Sequence, residues 1–172
     1  MSHRAALVAG GLALALTGLT SAVAAQAPAP SEAWRPFGGT WSASGQRRAV
    51  AIEGDGLAAV VAISGAVALT SGEGLSRGFS GEALGFDDGQ GVSVGRAVWT
   101  DERGDRVFSQ LRSESIAKGR LVTGTVTGGT GRYAGVTGEF TFEWQYVVEG
   151  EGGAISGRAT GLRGRVRGGA AR

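Results

Sequence analysis

Thr127-Gly128-Gly129-Thr130-Gly131-Arg132-Tyr133-Ala134-Gly135-Val136-Thr137-Gly138 runs directly into Glu139-Phe140-Thr141-Phe142-Glu143-Trp144-Gln145-Tyr146-Val147-Val148-Glu149. The second half alternates. Phe140, Phe142, Trp144, Tyr146 and Val148 share one parity; Glu139, Thr141, Glu143, Gln145 and Glu149 share the other, with Val147 its only apolar member. Successive side chains of a strand point to opposite faces, so this pattern predicts a strand with one buried and one wet face. Such one-sided strands belong to antiparallel sheets; parallel sheets are covered on both faces. The glycine-studded half before it reads as the turn that sets the strand in place.

Working outward, the same period recurs along the chain. Strands are expected over 39–53, 57–70, 75–86, 92–100, 106–116, 121–127, 139–149 and 154–166, separated by Gly- and Asp-rich turns such as Gly54-Asp55-Gly56 and Asp87-Asp88-Gly89. The chain has 33 Gly and only three Pro, the last at Pro36, so nothing beyond that point removes a ladder donor by proline. Evenly spaced strands without a convincing helix predict an all-β fold, an eight-stranded antiparallel up-and-down β-barrel, with a β-sandwich as the alternative. Closing the meander removes its edges and leaves room for side chains or one small ligand.

The start of the chain reads differently. Arg4, the short apolar run 5–19 and the small residues Ala22-Val23-Ala24-Ala25 form the pattern of a secretory signal, giving an exported protein, periplasmic or secreted. The domain plan is therefore a signal peptide over 1–25, a Pro/Ala linker over 26–37, the barrel over 38–168 and a disordered tail over 169–172. No integral membrane association is expected after cleavage. The formal charge is only +2, with Arg supplying nearly all of the basic groups, so nucleic acid is not an expected partner.

Composition narrows the chemistry. There is no Cys, and the one His is His3, inside the signal. Ser-His-Asp and Cys-His nucleophile systems are thus excluded from the exported chain, as are imidazole or thiolate metal sites. The spacing of Gly129, Gly131 and Gly135 superficially suggests phosphate binding, but a β-strand follows where a helix N-terminus would be required. Asp87-Asp88 and Asp101-Glu102 sit in turns and read as solvated. Asp101, Glu102 and Asp105 are oxygen donors of the kind calcium takes, yet Arg103 and Arg106 lie among them. No catalytic residue, metal site or cofactor is assigned.

The segment Gly128 to Gly138, followed by Phe140 and Phe142, resembles the glycine-rich stretch of the allene oxide cyclase-like and dirigent-like β-barrel superfamily. That resemblance implies an eight-stranded antiparallel barrel with an apolar lumen, in a family of cyclases, isomerase-like and stereo-directing proteins. It carries no catalytic residue onto this sequence. Read physically, Gly131 and Gly135 allow a compact turn that tucks Tyr133 inward as a plug, leaving Arg132 to solvent or to a carboxylate.

Candidate lumen residues are Trp41, Trp99, Tyr133, Phe140, Phe142, Trp144, Tyr146 and Arg158. The aromatics either fill the core or line a pocket for an apolar ligand, and in a small barrel the two overlap. Arg158 shares its parity with Ser156, Thr160, Leu162 and Val166. It is a buried cation if that face is the lumen and a wet one, the preferred phase, if not. Glu82, Arg96, Arg112 and Glu114 are further strand charges. Arg163, Arg165 and Arg167 form a basic stripe read as a solvated strand face. The 57–70 strand is apolar on its second face too, through Ala58, Val60, Ala62, Ala66 and Ala68, which points to self-association through Leu57–Thr70. The favoured function is non-catalytic binding of a small apolar ligand or a protein partner. A cyclase or isomerase acting in the lumen and a self-associating envelope protein are the alternatives.

Overall fold

The computed structural model describes residues 33–169. Eight strands run in chain order: β1 (Arg35–Ala51), β2 (Leu57–Gly72), β3 (Gly78–Asp87), β4 (Val92–Asp101), β5 (Arg106–Ile116), β6 (Gly119–Gly129), β7 (Thr137–Glu149) and β8 (Ala154–Arg167). Each pairs antiparallel with the next, and β8 pairs with β1, so the meander closes into a barrel. Every strand expected from the alternation is present. The signal segment read over 1–25 lies outside the described residues.

The linker ends earlier than the composition suggested. β1 begins at Arg35, and Phe37 is already buried in the core. Pro36 is accommodated because it is the second residue of its strand, facing outward. Nor is the start of the expected tail loose: Arg35 Nη2 donates to Gly168 O at 2.5 Å, and Gly169 is buried beside the turn around Tyr133.

Inside, large rings interdigitate with inward glycines. Gly124 lies beneath the Phe140 ring and Gly157 beneath the Trp144 indole, where a methyl group would collide with the aromatic atoms. Tyr133, Phe79, Trp99, Trp41, Trp144 and Tyr146 form an edge-packed column along the axis, with successive ring centroids 5.8, 5.9, 6.4, 6.0 and 6.4 Å apart. These spacings are those of favourable offset and edge-to-face aromatic pairs. The indole N–H groups of Trp41 and Trp99 are buried without a partner among the described residues.

Bulges break the register of β1, of the β5–β6 pair at Phe108, and twice that of the β7–β8 pair, and the two in β7–β8 change a reading. Thr160 pairs with Glu143 and Arg163 with Thr141, so Gly161 and Leu162 together oppose Phe142. Gly161 takes φ +64°, a conformation glycine adopts freely. Beyond it Leu162 and Val166 face inward, whereas Arg158, ahead of it, is exposed on the outer wall. Arg158 is therefore not a lumen residue. A second shift, between Tyr146 and Val148, turns Val148 outward, so the inner stripe of β7 ends at Tyr146.

Candidate functional site

The two ends of the barrel are built from different chemistry. At the end where the chain enters and leaves, the β2–β3, β4–β5 and β6–β7 connections converge on Tyr133. The β6–β7 connection contains one 3-10 turn, Gly131–Tyr133, with Gly131 at φ +52° and Gly135 at φ +76°. A Cβ on Gly131 would also overlap the Asp105 carboxylate, so shape and backbone both require glycine there. The turn drives Tyr133 into the barrel end, where it is 1% exposed.

The plug is hydrogen-bonded on every side. Tyr133 donates its hydroxyl to Asp101 Oδ2 at 2.9 Å and accepts from the Ser76 N–H at 3.2 Å. Arg132 Nε donates to the same Asp101 oxygen at 2.7 Å, Nη2 pairs with Asp101 as well, and Nη2 reaches Glu102 Oε1 at 3.0 Å. Asp101 Oδ1 accepts the backbone N–H groups of Arg103 and Asp105 at 2.8 and 3.0 Å. Burial by itself would raise the Asp101 pKa. The hydrogen bonds from Arg103, Tyr133, Arg132 and Asp105 outweigh it and hold the carboxyl below its ordinary value. Desolvation, reinforced by donation to Asp101, pushes the Tyr133 hydroxyl up to about 12.

Asp101 is therefore not the solvated turn residue its position suggested: its side chain has no access to water. Nor do Asp101, Glu102 and Asp105 gather as a cation site, because Arg132 and backbone N–H groups occupy their oxygens. No buried side-chain polar atom of this network lacks a partner among the described residues, which fits a structural role.

The opposite end is open. A cavity of about 260 Å³ enters the lumen there, floored by Trp41, Phe142 and Trp144 and walled by Val61, Ile63, Leu111 and Ile155. Trp41, Phe142, Trp144 and Tyr146 thus belong to this cavity, whereas Trp99, Tyr133 and Phe140 fill the closed half. The sequence-predicted set divides accordingly: four residues at the mouth, three in the plug and its packing, and Arg158 outside.

Three polar residues at the mouth escaped the sequence reading. Arg120 faces inward on β6 and is half-buried. Its Nη1 pairs with Asp87 Oδ2 at 2.9 Å, Nε donates to Ser113 Oγ at 2.9 Å and Nη2 to Ser93 Oγ at 2.7 Å. Weaker contacts run to Ser115 Oγ at 3.4 Å and Gly91 O at 3.3 Å. Asp87 is consequently an inward partner of Arg120, and only Asp88 of the expected turn pair is exposed. Arg47, on β1 opposite, lines the cavity with Tyr146 and Glu149. The available signal was parity: Arg47 continues the inward series Trp41, Ala43, Gly45, and Arg120 the series Val126, Gly124, Val122. Burial raises the Tyr146 hydroxyl above its ordinary pKa, against the opposing influence of Arg120 and Arg47, so at neutral pH it is a neutral donor.

Comparison with known proteins returned no matching family model, no significant match among curated proteins and none among solved structures. The fold and the site therefore define the class by themselves: a closed antiparallel barrel, plugged at one end and opening at the other into an aromatic cavity with a polar rim.

Proposed function

We propose that this protein binds a small apolar ligand in the open half of its barrel and does so without catalysing a reaction on it. The observation that carries this reading is the asymmetry of the lumen. The closed half is packed solid around Trp99 and Phe140, while the mouth holds a cavity of about 260 Å³ with an aromatic floor. Apolar cavities with a few convergent polar groups are where small molecules bind. Export through the segment 1–25 is part of the same proposal. The apolar inside and an outer wall that is polar except across β2–β4, where no continuous band encircles the barrel, suit a barrel in water better than one spanning a bilayer, which needs an outward apolar band all the way round. Among the described residues no helix is long and apolar enough to cross a membrane. The test is tryptophan emission during titration with a panel of compact apolar compounds. Saturable quenching supports ligand binding, and no response across the panel removes it.

Two further readings each have an observation in their favour. A cyclase or isomerase of the kind the Gly128–Gly138 resemblance implies needs a polar group against its substrate. Tyr146 and the Arg120–Asp87 pair stand at the cavity. That reading requires turnover lost in Tyr146→Phe while binding persists. Self-association through β2 is favoured by the outer wall. Val60, Phe86 and Val94 lie side by side across β2, β3 and β4, with Leu84 next to them. Leu84 is 62% exposed and Val94 55%. Patches of this kind mark interfaces when they are continuous.

A further inference from the structure

The rim of the cavity has two halves that differ in one respect: how many of their donors are already used. On the β3–β6 side, Arg120 offers five N–H groups. Asp87, Ser93, Ser113, Ser115 and the Gly91 carbonyl surround them. That guanidinium has nothing left to offer a ligand; it ties β6 to β3, β4 and β5. On the β1–β7 side the position is reversed. Among the described residues Arg47 forms no ion pair and no side-chain hydrogen bond, and the Tyr146 hydroxyl has no partner either. Both line the cavity, and the charge of Arg47 acts on the Tyr146 phenol.

We infer that the ligand is a compact aromatic monoanion: its ring system sits on Trp41, Phe142 and Trp144, and its carboxylate docks on Arg47 and Tyr146. This rests on the lumen-binding reading above and deepens it. Ring recognition follows from the floor, where the Trp41 centroid lies 6.1 Å from Phe142 and 6.0 Å from Trp144, presenting edges and faces to a flat guest. Compactness follows from volume. At about 260 Å³ the cavity lies just under the range of roughly 300–1,000 Å³ that encloses drug-sized ligands. The anion follows from a guanidinium that faces the cavity unpaired, next to a neutral hydroxyl donor; planar carboxylates are the natural partner of that fork. Two carboxylates share the rim. Asp87 is taken by Arg120, and Glu149 is exposed and more than a salt-bridge length from Arg47, so it weakens an incoming anion without blocking it.

The experiment is calorimetric titration of the purified protein with naphthoate, its methyl ester and palmitate. Naphthoate should bind at least about tenfold more tightly than the ester, the ratio a charge-assisted hydrogen bond supplies. Arg47→Gln should erase that preference while leaving ester affinity and the near-ultraviolet circular dichroism unchanged. Arg47→Lys should keep part of it, and Glu149→Gln should tighten naphthoate alone. Equal binding of acid and ester, or equal loss of both in Arg47→Gln with native dichroism, overturns the anion site but leaves the apolar lumen standing. Tighter binding of palmitate than naphthoate overturns the compact aromatic ligand. Failure of all three compounds to bind overturns the site and the lumen reading together.

Discussion

Replacing Arg132 by Met removes the cation from a carboxylate that has no contact with water. Asp101 would keep two backbone N–H groups and the Tyr133 hydroxyl, all within 3.0 Å, but no counter-charge. Breaking a buried pair by removing one partner costs about 3–5 kcal/mol, and the surviving donors place this case near 3 kcal/mol. The exposed Arg132–Glu102 contact adds little. For a domain of this size, ~3 kcal/mol lowers Tm by about 10 °C. The pH dependence has a definite sign. The folded Asp101 pKa is lowered, so its contribution is present above its unfolded pKa and is lost as pH falls through the folded value. Without Arg132 one of the hydrogen bonds that hold the pKa down is gone, so the folded value moves upward and the variant loses less than wild type on protonation. The gap in Tm between wild type and Arg132→Met should therefore be widest at neutral pH and should narrow toward pH 4. Adding Asp101→Asn to the variant should recover part of the loss, giving a coupling of about 1–3 kcal/mol in the double-mutant cycle. Thermal melts of the four proteins across pH decide it. A variant that melts with wild type at neutral pH, or additive effects of the two substitutions, would refute the plug as a charge-paired unit.

Tyr133→Phe should cost about 1–3 kcal/mol in chemical denaturation, because it strips one donor from Asp101 and leaves the Ser76 N–H unpaired. Gly124→Val should destabilise by about 1–3 kcal/mol and alter near-ultraviolet dichroism, since the new side chain enters the space of the Phe140 ring. If β2, β3 and β4 form an interface between copies, Phe86→Glu combined with Leu84→Glu should convert a dimer to a monomer in light scattering at unchanged Tm; a wild-type monomer at high concentration removes that reading.

Much of the architecture was legible because period-two patterning needs no tertiary information. β5 lies where the alternation put it, and β7 differs only by starting two residues earlier, at Thr137. Phase was harder. A single inserted residue at Gly161 flips everything beyond it, so Leu162 and Val166 face the core while Arg158, of equal parity in the sequence, faces water. The same limitation hid the rim. Arg47, inside β1, is followed directly by Arg48, so the pair reads as a wet stretch, and Arg120 and Asp87 continue inward series but stand at strand ends, where a charge looks like a solvated turn residue. Asp101 was read as wet for that reason, since its burial depends on Arg132 and Tyr133 arriving from a connection some thirty positions later.

The most direct test of the account is a set of indole N–H resonances followed during titration with naphthoate. The chain has four Trp residues, and they occupy different settings: Trp41 and Trp144 at the cavity floor, Trp99 in the packed half, and Trp34 on the outer wall against Arg165 and Arg167. The account predicts saturable shifts at Trp41 and Trp144, with Trp34 unmoved and Trp99 changing far less. Shifts confined to Trp34, or no shift at Trp41 and Trp144 at saturating ligand, would contradict it.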